Sequence, residues 1–259
     1  MTEPRIYDCL MYAGEADMLE LRLRELEGRV HRHVIAEADV THRGIPKPLF
    51  YPMERERFAR WGDRITFVAV KELPEGRDNW RREHIQRDGA RAGLGDARDE
   101  DLVLLSDADE FPSDAALAWR GQTAAGLVMT TCHSAVDLVY REPQYAGVIA
   151  RWGWARQYPL GQVRDGRYGY ERIDGAGWHL SWVGDQSYRQ AKLDRTCHLE
   201  MTGGEWEAIR SGATYEYGEH HDPGTDVVAI DIDESWPGPI WRREVPASWF
   251  RPRGEEEAA

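Results

Sequence analysis

The chain has 259 residues, 41% hydrophobic and 31% charged, which is enough apolar material for a sizeable core without staples. Its net charge of −13 argues against a nucleic-acid backbone as the main partner, and no apolar run approaches the roughly 20 residues of a membrane span. Three widely spaced cysteines, Cys9, Cys132 and Cys197, form no CxxC pair, and the opening MTEPRIYDCL lacks a basic-then-apolar leader, so a cytoplasmic protein with free thiols is expected.

In chain order, Ile6–Met11 reads as a short apolar strand. The following EADMLELRLRELEG places Met18, Leu19, Leu23 and Leu26 at helical spacing, with Gly28 as a stop. Residues 33–38 (HVIAEA) read as a second strand, and THRGIPKPLFYP as a loop punctuated by Pro and Gly. MERERFARWG suggests a short helix, and 64–70 (RITFVAV) a third strand. A helix is expected over 79–94, a fourth strand over 102–105 and a short helix over 115–119. Residues 127–140 are β-rich, and beyond about Arg151 the chain is richer in Trp, Tyr and Gly with shorter periodic segments. Alternating strand and helix predict an α/β fold: a mostly parallel central sheet with helices on both faces and an irregular C-terminal half. No repeat and no linker interrupts the chain, so one domain over 1–259 is expected.

The stretch LVLLSDADEFP carries the strongest chemical signal. A strand apolar on both faces is central in a parallel sheet, and ligands of open α/β folds bind at the carboxyl ends of such strands. Asp107, Asp109 and Glu110 fall at that end. Residues two apart on an extended chain point the same way, so Asp107 and Asp109 are expected to face one spot. Two close carboxylates repel unless a cation lies between them. Mg2+ or Mn2+ suits few carboxylates together with waters and phosphate oxygens. The competing reading is a solvated Asp-rich turn, and DxD alone is a weak signal.

Several blocks resemble glycosyltransferase family 17. They are IYDCLMYAGEADMLELRLREL, VIAEADVTHRGIPKPL, NWRREHIQRDGARAGL leading into DLVLLSDADEFP, and GAGWHLSWVG followed by KLDRTCHLE. They stand in the family's order and cover about residues 6–200; the last 50 or so residues are poorly covered. The resemblance implies a GT-A type fold, a UDP-sugar donor (GlcNAc by similarity), a divalent metal (Mn2+ or Mg2+) and inversion at the anomeric carbon. On this reading 1–120 is the nucleotide-sugar and metal half, 121–250 the acceptor side, and 251–259 a disordered acidic tail. The expected acceptor is a glycan, a protein or a small molecule.

With that resemblance, Asp109 is the preferred metal ligand, and Asp107 reaches the ribose or a metal-bound water. His198 in CHLE is the third ligand or else a hydrogen-bonded core histidine. Trp80, His84, Arg87 and Arg91 share one helical face, from which Arg87 is expected to contact the donor with Asp88 orienting it; a salt-bridged amphipathic helix is the alternative. Arg81 and Arg82 read as solvated. Glu37 is a uracil or ribose partner, or a loop-capping carboxylate. Lys192 is a phosphate contact or a surface lysine. Trp178 and Trp182 stack on sugar or pack in a β core, and His179 bonds a sugar hydroxyl or packs. Three carboxylates compete for the acceptor base: Glu200, Asp174 and Asp185. His220 and His221 in GEHHDPG are adjacent, which suits a chelate poorly, and read as a polar loop. Two other classes stay open: a metal-dependent nucleotidyl or phosphodiester-processing enzyme, which needs more converging carboxylates, and a non-catalytic carbohydrate-binding protein that uses its 11 tryptophans.

Overall fold

The computed structural model describes residues 3–71, 73–76, 78–195, 207 and 227–251. His198, Glu200, the GEHHDPG stretch and the acidic tail lie outside the described residues.

Strand β1 (Ile6–Met11) is buried along nearly its whole length, so it must be covered on both faces. Its side chains divide accordingly. Cys9 packs with Ala90, Leu94, Leu160 and Val163 on one face, while Leu10 packs with Leu19, Leu23 and Ile35 on the other. Helix α1 (Ala16–Glu25) supplies the second cover and is capped at Leu26, with Gly28 at φ +78° in the left-handed region just after it. The chain returns as β2 (Arg32–Ala38), parallel to β1. Next come α2 (Phe50–Glu54) and β3 (Ile65–Val70), which pairs in parallel with β2.

Helix α3 (Asn79–Gly89) starts where Asp78 accepts the Arg81 N–H at 3.0 Å. The helix expected over 79–94 is therefore α-helical to Gly89, then tightens into a 3-10 turn at Ala90–Gly93. Packing explains the change: a Cβ at Gly93 would lie 2.5 Å from Val34, so the chain there presses directly on β2. Strand β4 (Leu102–Asp107) then pairs in parallel with β1 and antiparallel with β8 (Gln144–Arg151).

The parallel nucleus β3-β2-β1-β4 thus holds the expected α/β plan, with helices on both faces. Beyond β8 the sheet continues through β6 (Ala124–His133), β7 (Ala135–Tyr140) and β11 (Val227–Ala229), all antiparallel to their neighbours along this path. Three short strands sit off the main order: β5 (Glu110–Pro112), β9 (Glu171–Ile173) and β10 (Gly177–His179). Short helices α4 (Asp114–Leu117), α5 (Trp152–Ala155) and α6 (Leu160–Asp165), then α7 (Gln186–Arg195) and α8 (Gly238–Trp241), complete the described residues' helical cover. Among the described residues no helix is long and apolar enough to cross a membrane. Cys9 and Cys132 are buried free thiols; Cys197 lies outside the described residues.

One feature breaks the apolar rule inside this core. Asp8 on β1 and Arg22 on α1 are both fully buried and joined twice, Nε to Oδ2 at 2.9 Å and Nη2 to Oδ1 at 2.6 Å. His33 on β2 places Nδ1 2.7 Å from Asp8 Oδ2. Burial pushes the Asp8 carboxyl up, but Arg22 and His33 outweigh it and hold the group well below the ordinary carboxylate range. Replacing Arg22 with Met strands a buried carboxylate, and the variant is expected to lose roughly 3–5 kcal/mol in urea denaturation. Because the native Asp8 pKa lies below its unfolded value, its contribution is complete above about pH 5 and falls away as pH drops through the native value. Asp8→Asn is therefore expected to lower stability at pH 7 and to flatten the acid limb of the stability profile.

Candidate active site

The site is built where β4 runs out. β4 ends at Asp107, a turn carries Ala108 and Asp109, and β5 begins at Glu110. The backbone of this turn is held on several sides. Arg22 Nη1 donates to Asp107 O at 3.0 Å and also to Glu110 O, while its Nη2 bonds Ser106 Oγ. Glu110 Oε2 accepts the Asp107 N–H at 2.9 Å, and its Oε1 accepts from Arg164 Nη2 on α6 at 2.6 Å. Leu180 N–H donates to Asp109 O at 2.8 Å. Glu110 is thus a structural group.

The side chains of Asp107 and Asp109 line one cleft of about 350 Å³. They reach it by a route different from the expected one. Asp107 closes an extended strand and Asp109 sits in the turn, so the turn, and not strand alternation, brings them together.

Each carboxylate already has cationic company. Asp107 Oδ1 accepts from Arg87 Nη2 at 2.9 Å, and Arg164 Nη2 stands 3.8 Å from Oδ2. Asp109 is only 4% exposed; Lys192 Nζ pairs with its Oδ2, and His179 Nε2 lies 3.8 Å from Oδ1. Burial works against ionisation at both acids, yet Arg87 with Arg164 at Asp107, and Lys192 with His179 at Asp109, hold both below the ordinary range. Glu15, in the same cleft, shows the reverse: burial pushes its carboxyl up against the pull of Lys192 and Arg195. Arg87 is buried and also donates to Glu83 Oε1 at 2.7 Å, yet among the described residues its Nε and Nη1 have no acceptor, and neither has Arg164 Nε. Buried guanidinium N–H groups without acceptors are uncommon, and here they flank a cleft.

The remaining sequence-derived residues divide clearly. Arg87, Lys192, Trp182 and His179 line the cleft with the two aspartates, as does Trp80. Glu37 does not: fully buried on β2, it accepts from Lys47 Nζ (2.7 Å) and from the Phe50 and Tyr51 N–H groups (2.7 and 2.9 Å). Both of its oxygens are spent on the start of α2, so it is the loop-capping carboxylate and not a donor contact. Asp88 likewise accepts the N–H of Leu160, the first residue of α6, at 3.0 Å and does not line the cleft. Trp178 packs its indole against Trp236, with centroids 6.0 Å apart, over a different groove. Asp174 is exposed and paired with Arg172 at 2.6 Å. Asp185 caps α7, accepting from Ser187 Oγ at 2.6 Å and Tyr188 N–H at 2.8 Å. Neither Asp174 nor Asp185 reaches the cleft.

Two readings of the 79–94 segment need correction. Arg81 is exposed, but Arg82 is fully buried and donates to the carbonyls of His42, Pro74 and Gly76 and to Asn79 Oδ1 at 2.7–2.9 Å. It ties the loop before α3 to the helix. Of the expected helical face, Trp80 and Arg87 reach the cleft, joined by Glu83. His84 instead pairs with Asp165 at 3.0 Å, and Arg91 donates to the carbonyls of Tyr158 and Arg156. Sequence reasoning missed Arg164, Tyr145 and Arg167 in the cleft wall, because no spacing or motif links them to the acid turn.

The model of glycosyltransferase family 17 matches residues 1–184. This chain belongs to glycosyltransferase family 17. The family-17 match includes β1, α3, the acid turn and β10, and stops just short of α7 with Lys192. Curated relatives are β-1,4-mannosyl-glycoprotein 4-β-N-acetylglucosaminyltransferases: the human and rat proteins are each 26% identical over 118 residues, and the mouse protein 25%. Each alignment covers 42% of this family-17 chain and 22% of the relative, so the chain spans about a fifth of their length. Two solved structures show distant likeness. One is a protein assigned as a glucose-1-phosphate thymidylyltransferase from Bacillus anthracis with sucrose: TM-score 0.38, 8% identity, 80% of this chain and 99% of that one. The other is the galactosyltransferase LgtC with donor and acceptor sugar analogues: TM-score 0.32, 15% identity, 97% and 98% covered. At such scores neither carries an argument about this family-17 site.

The two roles of the buried acids can be separated by experiment. Glu37→Gln is expected to cost roughly 3 kcal/mol in chemical denaturation, by leaving Lys47 without its buried partner. Nucleotide binding by the folded protein, followed by calorimetry, is expected to stay unchanged.

Proposed function

We propose that this glycosyltransferase moves a sugar, N-acetylglucosamine in the first instance, from a UDP-sugar to a glycan, protein or small-molecule acceptor. Mn2+ or Mg2+ would be held by Asp107 and Asp109. The observation that carries the reading is the shared cleft: two ionised aspartates and two buried arginines with unused N–H groups converge at the end of a central strand. That combination suits a cation and a diphosphate together.

The residues fit the ion. Among the described residues, Asp107 Oδ2 and Asp109 Oδ1 have no partner closer than 3.8 Å, and ions of this type take one or two carboxylates and complete their shell with water and phosphate. Among the described residues no cluster of three or more His, Cys, Asp or Glu side chains forms a metal site. His198, the expected third ligand, lies outside them. When bound, the ion would compensate charge on the departing diphosphate.

The chain's own residues do the rest. Arg87 and Arg164 hold Asp107 ionised and offer their free N–H groups to the diphosphate. Trp80 and Trp182 supply indole faces on the cleft wall for sugar rings. Trp182 adopts φ +59°, a left-handed conformation that is costly for a bulky residue and tends to persist at functional sites. The acceptor hydroxyl loses its proton to a base as its oxygen bonds the anomeric carbon, and the bond from that carbon to the diphosphate oxygen breaks, releasing UDP. With Asp174 and Asp185 turned away, Glu200 is the base of this reading.

The nucleotidyl or phosphodiester alternative needs further free carboxylates for a second ion. Glu110, the adjacent candidate, is consumed by Arg164 and the Asp107 N–H.

Thermal melting tests the proposal. UDP with Mn2+ at about 100 times its Kd is expected to stabilise the protein by roughly 2.7 kcal/mol, and UDP without metal by much less. Asp109→Ala is expected to melt cooperatively and lose the metal-dependent part; absence of any UDP response at millimolar ligand would refute the reading. Glu200→Gln is expected to lower kcat by about 10²–10⁴ with UDP binding intact, and near-normal turnover would remove it as the base.

A further inference from the structure

The carboxylates of the acid turn are neutralised by groups of two different kinds. Arg87 and Arg164, beside Asp107, are each anchored by a second carboxylate, Glu83 at 2.7 Å and Glu110 at 2.6 Å. Their planar heads stay in place whatever happens at Asp107. Lys192 differs. Its one carboxylate partner among the described residues is Asp109, and its ammonium stands 5.0 Å from the centroid of the Trp182 ring. It sits near the end of α7, on a flexible stem, with its side chain 23% exposed to the cleft.

We propose that Lys192 is a resident counter-ion that occupies Asp109 until the nucleotide arrives, so that a divalent ion gains Asp109 only as Lys192 transfers to the incoming diphosphate. The inference rests on the metal reading above and adds a binding order to it. A divalent ion beside Asp109 would face the Lys192 ammonium across a few ångströms in a largely desolvated corner, which is repulsive. Asp109 is only 4% exposed, so an ion on its Oδ1 would lie within reach of the ammonium already seated on its Oδ2. The repulsion disappears when an anion takes the ammonium. The diphosphate is such an anion, and Lys192 shares a cleft wall with Arg87 and Arg164. Metal and nucleotide therefore bind with positive coupling, and Lys192 is the positioning residue that creates it.

Mn2+ binding, followed by the electron paramagnetic resonance signal of the free ion, reads this directly without turnover. The wild-type protein is expected to bind Mn2+ weakly alone and at least about 10-fold more tightly with saturating UDP. Lys192→Met is expected to bind Mn2+ alone at least about 10-fold more tightly than wild type, with UDP adding little further. Lys192→Gln, which keeps a donor for Asp109 but no charge, is expected to behave likewise and guards against misfolding of the Met variant. Lys192→Arg, which keeps the charge, is expected to stay near wild type. Equal Mn2+ affinity of wild type and both neutral variants without UDP overturns the proposal, while Asp109-dependent binding with UDP leaves the metal reading standing. Absence of Mn2+ binding in every protein, even with UDP, overturns both.

Discussion

The structure depends on the guanidinium of Arg22. It is fully buried, and its donors reach Asp8 on β1, Ser106 and Asp107 on β4, and Glu110 at the start of β5. Without it, the middle of β1 would present a carboxylate, and the end of β4 and start of β5 a hydroxyl and two carbonyls, to an apolar interior. With it, they form one rigid polar knot beneath the acid turn. The turn's outward side chains are free to do chemistry because its inward carbonyls are already satisfied.

A second level of charge matching sits on top of that knot. Arg164 grips Glu110 from α6, and Arg87 grips Asp107 from α3, so two helices that cover the same face of the sheet are both referenced to the same four residues. Among the described residues their guanidinium groups retain unused donors, and this surplus separates the cleft from an ordinary salt-bridged surface. A closed network would consume its own hydrogen bonds; among the described residues this one is short of acceptors.

Much of the fold was legible in the sequence because parallel strands buried on both faces leave apolar runs that spacing alone reveals. β1, β2, β3 and β4 all appear within a residue or two of their expected places. The acid turn was legible for the same reason, as a charge cluster at the end of such a run, and the ordered family blocks pointed to the family. Buried charge was not legible. Arg82 sits beside exposed Arg81 in an arginine-rich helix, and only tertiary contact with three loop carbonyls distinguishes it. For Glu37 the sequence leaves a nucleotide partner and a loop cap both open, and for Asp88 it suggests a group orienting Arg87. Each satisfies the first N–H groups of a helix 13 or 72 residues further on, a partnership no local pattern encodes. Arg164 reaches Glu110 across 54 residues and was invisible for the same reason.

The meeting of β10 with β5 has a consequence for how such an enzyme can diversify. Gly177 adopts φ +141°, and a Cβ there would lie 1.9 Å from the carbonyl oxygen of Phe111. No other amino acid fits, so mutation at that codon is closed off whatever sugar the protein handles. Two positions later, on the same strand, His179 projects into the cleft with a partly exposed ring and no comparable restriction on its backbone. Backbone restriction and cleft lining are therefore carried by different residues of a three-residue strand, so the cleft-facing position is open to change while the other end holds β10 against β5.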